Sequence, residues 1–325
     1  MSARSDQIID ALRAAGEPTR LRILALLQRG DLAVGELVQI LSQSQPRLSH
    51  HLKTLANAGI VERLPEGAWV FYRSAAKGWA KRLLDGLFAE LDLEAGEFAR
   101  DGLELAKVRK SRAASAESYF GAIAEDWDSI RALHFPNEAI EQALLDAAGP
   151  GPYRRVIDLG TGTGRMLALF SPLAREAEGL DLSHQMLTVA RANLSRAGIT
   201  NAHVRQGDVS AAPFETASAD LVIIHQVLHF IEDPASVLAE AARILIPGGR
   251  LLVVDFAPHE LDFLRSAHGH HRLGIRHEDM AEWAAQAGLD LQVPHKFEPP
   301  ATLEQGLCVH VWTATRHASK QEAAA

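Results

Sequence analysis

Apolar side chains recur every three or four positions through the first sixty residues, which is the spacing that places them on one face of a helix. They predict four helices, over residues 5–15, 17–28, 34–41 and 44–58. Pro18 suits the first turn of the second helix, Ser44 suits the N-cap of the fourth, and Gly59 suits its end. This part of the chain is therefore predicted to be a small helical unit.

The next stretch, "IVERLPEGAWVFYRS", has two short strand patterns on either side of Pro65-Glu66-Gly67 and predicts a β-hairpin. Helices followed by a hairpin within 80 residues form the winged helix-turn-helix arrangement. Helical spacing returns from Trp79 to Leu91, and a further helix is predicted over about 97–116. We interpret residues 93–118 as a helical linker.

After Pro152, strand patterns alternate with helix patterns, which is typical of a parallel sheet covered on both faces. The predicted strands are "RRVIDLG", "EAEGLDLS", "AHVRQGDV", "ADLVIIHQV" and "GGRLLVVDF". Helices are predicted over 185–197 and 234–244, and "DLQVPHKFE" with "CVHVWTATR" predicts a closing antiparallel pair. The second domain is thus predicted to be a doubly wound, Rossmann-like α/β domain.

The predicted fold class is multidomain, with an α+β winged helix-turn-helix followed by an α/β doubly wound domain. We expect a DNA-binding and dimerisation domain over residues 1–92 and a linker over 93–118. A second domain is expected over 119–317, followed by a disordered tail over 318–325.

Composition agrees with this division. The chain has 325 residues, 47% of them hydrophobic and 23% charged, enough for about two globular domains. No apolar run approaches the ~20 residues that span a bilayer, and the N-terminal stretch lacks the apolar segment of a signal peptide. We expect a cytoplasmic protein with no membrane partner. The single cysteine, Cys308, excludes an internal disulfide and a thiolate cluster for a metal.

The formal net charge of −8 is unevenly distributed, with +3 over 1–80, −1 over 81–120 and −10 over 121–325. A basic N-terminal part fits a nucleic-acid surface, because attraction to phosphate depends on the nearby charge rather than on the total. An excess of this size is also typical of an ordinary solvated surface, so charge alone does not decide between the two.

The stretch "DLGTGTG" follows the first strand of the second domain and carries Gly160, Gly162 and Gly164. Glycine is needed where the backbone approaches a ligand or takes a positive φ. The dinucleotide fingerprint G-x-G-x-x-G would need glycine where this chain has Arg165. Asp158, just before the loop, would repel a pyrophosphate but can meet a cationic amino-acid group. The pattern argues against NAD and ATP and favours a zwitterionic nucleoside such as S-adenosylmethionine.

Carboxylates at the ends of the next two strands complete the predicted pocket. Asp181 can accept both ribose hydroxyls, and Asp208 can accept the adenine amino group while Val209 packs on the ring. The predicted cofactor-binding residues are Asp158, Gly160, Thr161, Gly162, Thr163, Gly164, Asp181, Leu182, Met186, Asp208, Val209 and His225.

At these residues the chain resembles the class I S-adenosylmethionine-dependent methyltransferases, especially their small-molecule branch, over about residues 119–315. The resemblance implies S-adenosylmethionine or S-adenosylhomocysteine as cofactor and a small-molecule acceptor. In "HQVLHF", His225 and His229 are candidates for a general base, or they pack around the cofactor. No Asn/Asp-Pro-Pro-aromatic tetrapeptide follows the fourth strand, so methylation of DNA bases is not expected.

A histidine-rich segment, "HGHHRLGIRH", follows the fifth strand. We interpret it as a solvated or substrate-facing loop, with metal binding as the alternative. Its histidines are His268, His270, His271 and His277.

In the first domain, "EPTRLRILALL", "AVGELVQIL" and "SQPRLSHHLKTLANAGIVERL" resemble the ArsR/SmtB family of winged-helix repressors, over about residues 5–80. The resemblance implies double-stranded operator DNA as a partner, with the fourth helix reading it. It also implies a homodimer formed by the N-terminal helix and the Trp79–Leu91 helix. The predicted DNA-contacting residues are Ser44, Gln45, Arg47, Leu48, Ser49, His50, His51, Lys53, Arg63 and Arg73.

Many members of that family sense metals through cysteines on the third helix or through Asp/His sets on a dimer helix. Here the third helix, "VGELVQIL", has no thiol or histidine, and no histidine lies between His51 and His134. Metal sensing at those two places is therefore excluded.

Two functions remain open. The first is a transcriptional regulator whose methyltransferase-fold domain binds S-adenosylmethionine or S-adenosylhomocysteine as its ligand, an arrangement that resembles the S-adenosylhomocysteine-responsive repressors of the methionine cycle. The second is an active small-molecule methyltransferase with an autoregulatory DNA-binding domain.

Overall fold

The computed structural model describes residues 5–66, 69–75, 78–112, 137–264, 270–299 and 306–317. The chain divides into two compact units, residues 1–115 and 116–325. Some sequence predictions lie outside the described residues: Gly67 of the hairpin turn, the end of the linker helix beyond 112, the start of the second domain at 119, His268 and the tail 318–325.

The first unit has the order of elements that the hydrophobic pattern predicts. Its helices are α1 (Ser5–Ala15), α2 (Pro18–Gln28), α3 (Val34–Leu41), α4 (Gln45–Asn57), α5 (Gly78–Ala89) and α6, which is described over 96–112. Its strands are β1 (Leu32–Ala33), β2 (Val61–Glu66) and β3 (Trp69–Ser74). They form an antiparallel sheet in the order β1-β3-β2, with the predicted hairpin as β2 and β3.

Local chemistry sets where the helices begin. Pro18 lies in the first turn of α2, and the Glu17 carboxylate accepts a hydrogen bond of 2.9 Å from the backbone N–H of Arg20. Ser44 occupies the N-cap position of α4, as predicted, but its side chain makes no capping hydrogen bond. Its hydroxyl is thus left on the exposed surface at the start of α4.

Leucines at helical spacing hold the first unit together. Leu48, Leu52 and Leu55 of α4 are fully buried in one cluster with Ile23 and Leu24 of α2. Burial of a side chain of this size contributes about 1.5–3 kcal/mol. The face of α4 opposite these leucines is therefore the face left for solvent or DNA.

Helix α6 packs back onto the first unit through charged side chains. Arg22 of α2 donates two hydrogen bonds of 2.6 and 2.7 Å to the Asp101 carboxylate. Arg112, at the end of the described part of α6, donates to both oxygens of Glu36 on α3 and to the backbone carbonyl of Asp31. The helix that leads out of the first unit is thus bonded to the helix that precedes α4.

The second unit is a mixed sheet with helices on both faces. Its strands are β4 (Tyr153–Leu159), β5 (Ala174–Asp181), β6 (Ala202–Gln206), β7 (Ala219–His225), β8 (Leu245–Phe256), β9 (Leu289–Leu291), β10 (His295–Phe297) and β11 (Val309–Arg316). Its α-helices are α7 (Asn137–Ala148), α8 (Arg165–Phe170), α9 (His184–Arg196), α10 (Pro234–Ile244) and α11 (His277–Gln286). Short 3₁₀ turns cover Ser171–Leu173, Val209–Ala211 and Leu228–Phe230.

The strand order is β10-β11-β8-β7-β4-β5-β6, and the strands from β8 to β6 are parallel. From β4 the chain first moves outward through β5 and β6 and then returns to β7 on the other side. In open α/β sheets a crevice opens at such a reversal, outside the carboxyl ends of the strands. The second unit thus has a doubly wound, Rossmann-like topology with its crevice between β4 and β7.

The predicted single strand "DLQVPHKFE" is wrong in detail. The segment forms two short strands, β9 and β10, each antiparallel to a different part of β11. Pro294 lies between them, and proline has no N–H to donate to a sheet. Adjacent Val293 is exposed, so the chain leaves the sheet at this point.

Among the residues described, no helix combines the length and the apolar character needed to cross a membrane.

Candidate functional site

The candidate pocket lies at the carboxyl ends of β4, β5 and β7. The loop after β4 contains three glycines with φ of +80° at Gly160, +51° at Gly162 and +78° at Gly164. It is tied to the next strand, because the N–H groups of Gly160 and Thr161 both donate to the carbonyl of Leu180, at 2.7 and 2.9 Å. The loop therefore has a fixed shape.

The surroundings of the first two glycines differ. A Cβ built on Gly160 would lie 2.3 Å from a methyl of Val227, so the loop after β7 packs directly on this residue. A Cβ on Gly162 would meet no atom within 4 Å, which leaves its surface open. Gly160 is thus fixed by packing, whereas the surface at Gly162 is open among the described residues.

We expect Gly160→Ala to destabilise the second unit by about 2–4 kcal/mol, the combined cost of left-handed backbone and overpacking against a stiff β-branched side chain. Gly162→Ala is the matched control and should cost about 1 kcal/mol, because it incurs the backbone strain alone. Urea unfolding of both variants measures the difference. Equal losses would contradict the packing assigned to Val227.

Asp158 is the most unusual residue of the site. It lies on central strand β4, is 1% exposed, and neither its carboxylate oxygens nor the Thr161 hydroxyl has a hydrogen-bond partner among the described residues. Burial raises the pKa of Asp158 to about 7, an effect that the nearby Thr161 hydroxyl opposes. A buried, unpaired carboxylate at a strand end suits a cationic ligand group, which would supply the missing charge.

Asp181, at the end of β5, shapes the loop as well as facing the pocket. Its two oxygens accept hydrogen bonds of 2.8 Å from the N–H groups of Gly162 and Ser183. Burial raises the pKa of Asp181, although these backbone bonds oppose the effect. A carboxylate offers about four acceptor positions, so two remain for ligand hydroxyls.

Two predicted apolar contacts lie next to Asp181. The side chain of Leu182 is 71% exposed, which is uncommon for leucine in a folded domain. Met186 is half-buried in the first turn of α9, where its N–H donates to the Ser183 hydroxyl. Both positions fit contact with the nucleoside part of a ligand.

Asp208 follows β6 and is exposed, and its Oδ1 accepts bonds from both the N–H and the hydroxyl of Ser210. These bonds lower the pKa of Asp208. Val209 is buried beside it. Both of these bonds are to Oδ1 of Asp208.

Side chains of neighbouring helices hydrogen-bond to the end of the glycine loop and to the start of α8. Asn193 of α9 donates a 3.0 Å hydrogen bond to the carbonyl of Thr163. Arg165 donates two bonds of 2.6 Å to the Glu141 carboxylate on α7, and so fixes the start of α8. Glu141 was not predicted, because no local pattern connects residues 24 positions apart.

The two candidate histidines after β7 have different surroundings. Burial lowers the pKa of His225 to about 4, so its imidazole is neutral and a weak base at pH 7. His229 is buried, and its Nδ1 lies 2.7 Å from Oδ1 of the fully buried Asp255 on β8. Asp255 was not predicted, because it stands in an apolar strand.

The described part of the histidine-rich segment lies partly against His229. The backbone N–H groups of His271 and Arg272 donate to the carbonyl of His229. The His270 ring is buried 4.2 Å from that of His229, between ring centroids. Nδ1 of His277 accepts a bond of 3.3 Å from the indole of Trp312.

A second candidate site is the exposed face of α4 in the first unit. Seven of the ten predicted DNA-contacting residues are exposed there or on the neighbouring hairpin: Ser44, Gln45, Arg47, Ser49, His50, Lys53 and Arg63. Trp69, on the hairpin strand β3, is 52% exposed and was not predicted. The exposed set carries three basic side chains and several hydrogen-bonding groups, the composition that contacts phosphates and base edges.

The other three predicted contacts are wrong, because these side chains are buried. Leu48 and His51 lie on the same face of α4 as Leu52. His51 lies 3.5 Å from the Glu17 carboxylate, and burial lowers the pKa of His51 more than that carboxylate raises it. Arg73 is 3% exposed and donates two bonds, of 2.9 and 2.7 Å, to Asp31.

Comparison with known proteins assigns each unit. Residues 17–63 match the family model of the bacterial regulatory proteins of the arsR family, and residues 157–253 match the methyltransferase domain model. An arsR-family domain implies DNA binding, and a methyltransferase domain implies a substrate.

Similar proteins match the second unit. The uncharacterized methyltransferase YcgJ of Bacillus subtilis is 31% identical over 136 residues, 40% of this chain and 54% of YcgJ. The ubiquinone/menaquinone biosynthesis C-methyltransferase UbiE of Vibrio vulnificus is 31% identical over 156 residues, 46% of this chain and 60% of UbiE. The chain thus spans little more than half the length of these relatives. The crystal structure of YcgJ aligns with 55% of this chain and 98% of its own, with 21% identity and a TM-score of 0.47. The chain therefore contains a region that matches the arsR-family regulatory proteins, followed by a region that matches the methyltransferase domain.

Proposed function

We propose that the protein is a DNA-binding transcriptional regulator of the arsR type whose methyltransferase-fold domain binds S-adenosylmethionine or S-adenosylhomocysteine as its ligand. The observation that carries this proposal is the buried Asp158 carboxylate without a hydrogen-bond partner among the described residues, next to an open glycine loop. Both ligands carry an ammonium group on their amino-acid part, and an ammonium is the partner that such a carboxylate lacks.

The neighbouring residues fit the rest of such a ligand. Asp181 keeps acceptor positions for ribose hydroxyls, and exposed Leu182 offers an apolar surface beside it. Asp208 stands at the end of the next strand along the same sheet edge, with Val209 buried beside it. Along this edge, we infer that Asp158 binds the amino-acid part of the ligand, Asp181 the ribose and Asp208 the base.

In this proposal the first unit binds the operator. Arg47 and Lys53 lie on the exposed face of α4, where they can contact phosphates, and polar residues at its N-terminus can contact base edges. Helix α1 exposes Ile8, Ile9 and Leu12, which supports a homodimer formed through this helix. We infer that ligand binding favours one arrangement of the dimer and thereby changes operator affinity.

The test is operator binding by the full-length chain, measured with and without each ligand at saturation. We expect at least one ligand to change operator affinity by about 5-fold or more, the usual lower range of allosteric coupling. Asp181→Ala should lose this response but keep the operator affinity of the ligand-free protein, because it lies outside the DNA-reading unit. Exposed Asp233→Ala is the matched control and should respond like the wild type. If neither ligand alters operator affinity, the proposal fails.

The same pocket supports a second function, methyl transfer to a small molecule. Bound S-adenosylmethionine would supply an electrophilic methyl group, so the protein mainly has to position the acceptor and remove its proton. The observation that favours this function is the buried pair of His229 and Asp255 on the other side of the crevice.

A further inference from the structure

The His229–Asp255 pair lies at the carboxyl ends of β7 and β8. The cofactor candidates Asp158 and Asp181 end strands β4 and β5, whereas His225 and Asp255 stand at the ends of β7 and β8, across the strand-order reversal. The loop after β7 contacts the glycine loop, because Val227 packs on Gly160. His229 is therefore two residues from a direct contact with the glycine loop.

Asp255 holds His229 in one orientation. Its Oδ1 lies 2.7 Å from Nδ1 of His229, and its Oδ2 accepts the backbone N–H of His229 at 3.3 Å. Burial by itself would raise the pKa of Asp255. The His229 ring and the neighbouring N–H groups have the larger combined effect and lower this pKa, so the side chain is a carboxylate. A carboxylate at Nδ1 fixes the tautomer in which Nδ1 donates, which leaves Nε2 as the acceptor.

Aromatic rings surround the imidazole. The ring centroids of Phe230, His270 and Phe256 lie 4.1, 4.2 and 5.0 Å from that of His229. Phe230 is 44% exposed, so the ring cluster reaches the surface there. These rings favour a flat acceptor with an apolar or aromatic body, because such a body can stack on them.

We propose that His229 is a catalytic base for methyl transfer to a small, neutral acceptor that carries an acidic hydroxyl on an apolar or aromatic body. Asp255 is its positioning residue. The hydroxyl proton moves to Nε2 of His229, and an oxygen electron pair forms the new O–CH₃ bond. The electrons of the broken S–CH₃ bond stay on sulfur, and the products are a methyl ether, S-adenosylhomocysteine and a protonated imidazole. This inference rests on the proposed S-adenosylmethionine pocket.

The experiment supplies the full-length protein with methyl-labelled S-adenosylmethionine and, separately, catechol, 2-naphthol and anisole. We expect labelled product from catechol or 2-naphthol and none from anisole, which has no hydroxyl proton. His229→Gln should lower kcat by about 10²–10⁴-fold, the usual contribution of a general base. It should leave the affinity for S-adenosylhomocysteine unchanged. Asp255→Asn should lower kcat with little change in KM, and His295→Gln, an exposed histidine on β10, is the matched control.

A pH profile of the wild type keeps the test decisive if a buried variant fails to fold. Among the described residues, the titratable groups beside His229 are Asp255, His225 and His270. Removal of a proton by the imidazole predicts that kcat falls about tenfold per pH unit on the acid side. A flat profile, full activity of His229→Gln, or S-adenosylhomocysteine binding without labelled product from either phenol overturns the inference. Absence of S-adenosylhomocysteine binding would instead overturn the proposed pocket.

Discussion

Replacement of Asp158 by Asn should abolish binding of S-adenosylmethionine and S-adenosylhomocysteine while making the ligand-free protein more stable at pH 8. The carboxyl group is 1% exposed, and burial raises its pKa to about 7 from the ordinary value of 3.8. A pKa that is higher in the folded than in the unfolded state means that stability is lost as pH rises toward the folded value. At pH 8 the ionised side chain costs up to roughly 4 kcal/mol. Asn is neutral and avoids most of this cost.

The same pKa sets the pH dependence of binding. A ligand ammonium binds the ionised carboxylate, so affinity of the wild type should fall about tenfold per pH unit below pH 7. Calorimetric titrations at pH 6 and 8, with urea unfolding at pH 5 and 8, measure both effects. Exposed Asp233→Asn is the control and should change neither. If Asp158→Asn is no more stable relative to wild type at pH 8 than at pH 5, the buried charge assigned to Asp158 is wrong.

The second large effect concerns the winged hairpin. Arg73→Met should destabilise the first unit by about 3–5 kcal/mol, because it leaves the buried Asp31 carboxylate without its guanidinium partner. The double variant Asp31→Leu/Arg73→Met should recover most of this loss, since both charges are then removed together. Urea unfolding of the full-length protein, followed by a probe in the first unit, measures the change.

Arg63 is the matched control in the same hairpin. It is exposed, so Arg63→Ala should weaken operator binding, with a smaller dependence on salt, at nearly unchanged stability. Folded Arg73→Met should bind the operator like the wild type. The opposite result, in which Arg73→Met is stable but binds DNA poorly, would indicate that Arg73 contacts DNA.

Much of the architecture could be predicted from local patterns. Helical spacing located α1 to α4, and alternation of strands with helices predicted the doubly wound sheet. Because parallel strands bring their carboxyl ends to one edge, the acids at 158, 181 and 208 could be assigned to one pocket from their positions alone. The glycine spacing predicted backbone with positive φ, and the φ angles of Gly160, Gly162 and Gly164 confirm it.

What the sequence could not show depends on long-range contacts. Nothing near Arg73 indicates that its partner is Asp31, 42 residues earlier. Asp255 stands inside an apolar strand, so its bond to His229 emerges only when β7 and β8 lie side by side. Leu48 and His51 are a different case. The helical period that identified α4 also places them with Leu52, and applying it residue by residue would have removed both from the DNA set.

The most direct test of the central claim is the affinity for S-adenosylhomocysteine and S-adenosylmethionine measured with and without operator DNA. Coupling between two binding sites is reciprocal, so a ligand that changes operator affinity must itself bind with an affinity that the operator changes by the same factor. We predict that the Kd of at least one ligand shifts by about 5-fold or more when saturating operator is present, and that Asp181→Ala removes this effect. Equal Kd values for both ligands with and without operator would contradict a ligand-responsive regulator.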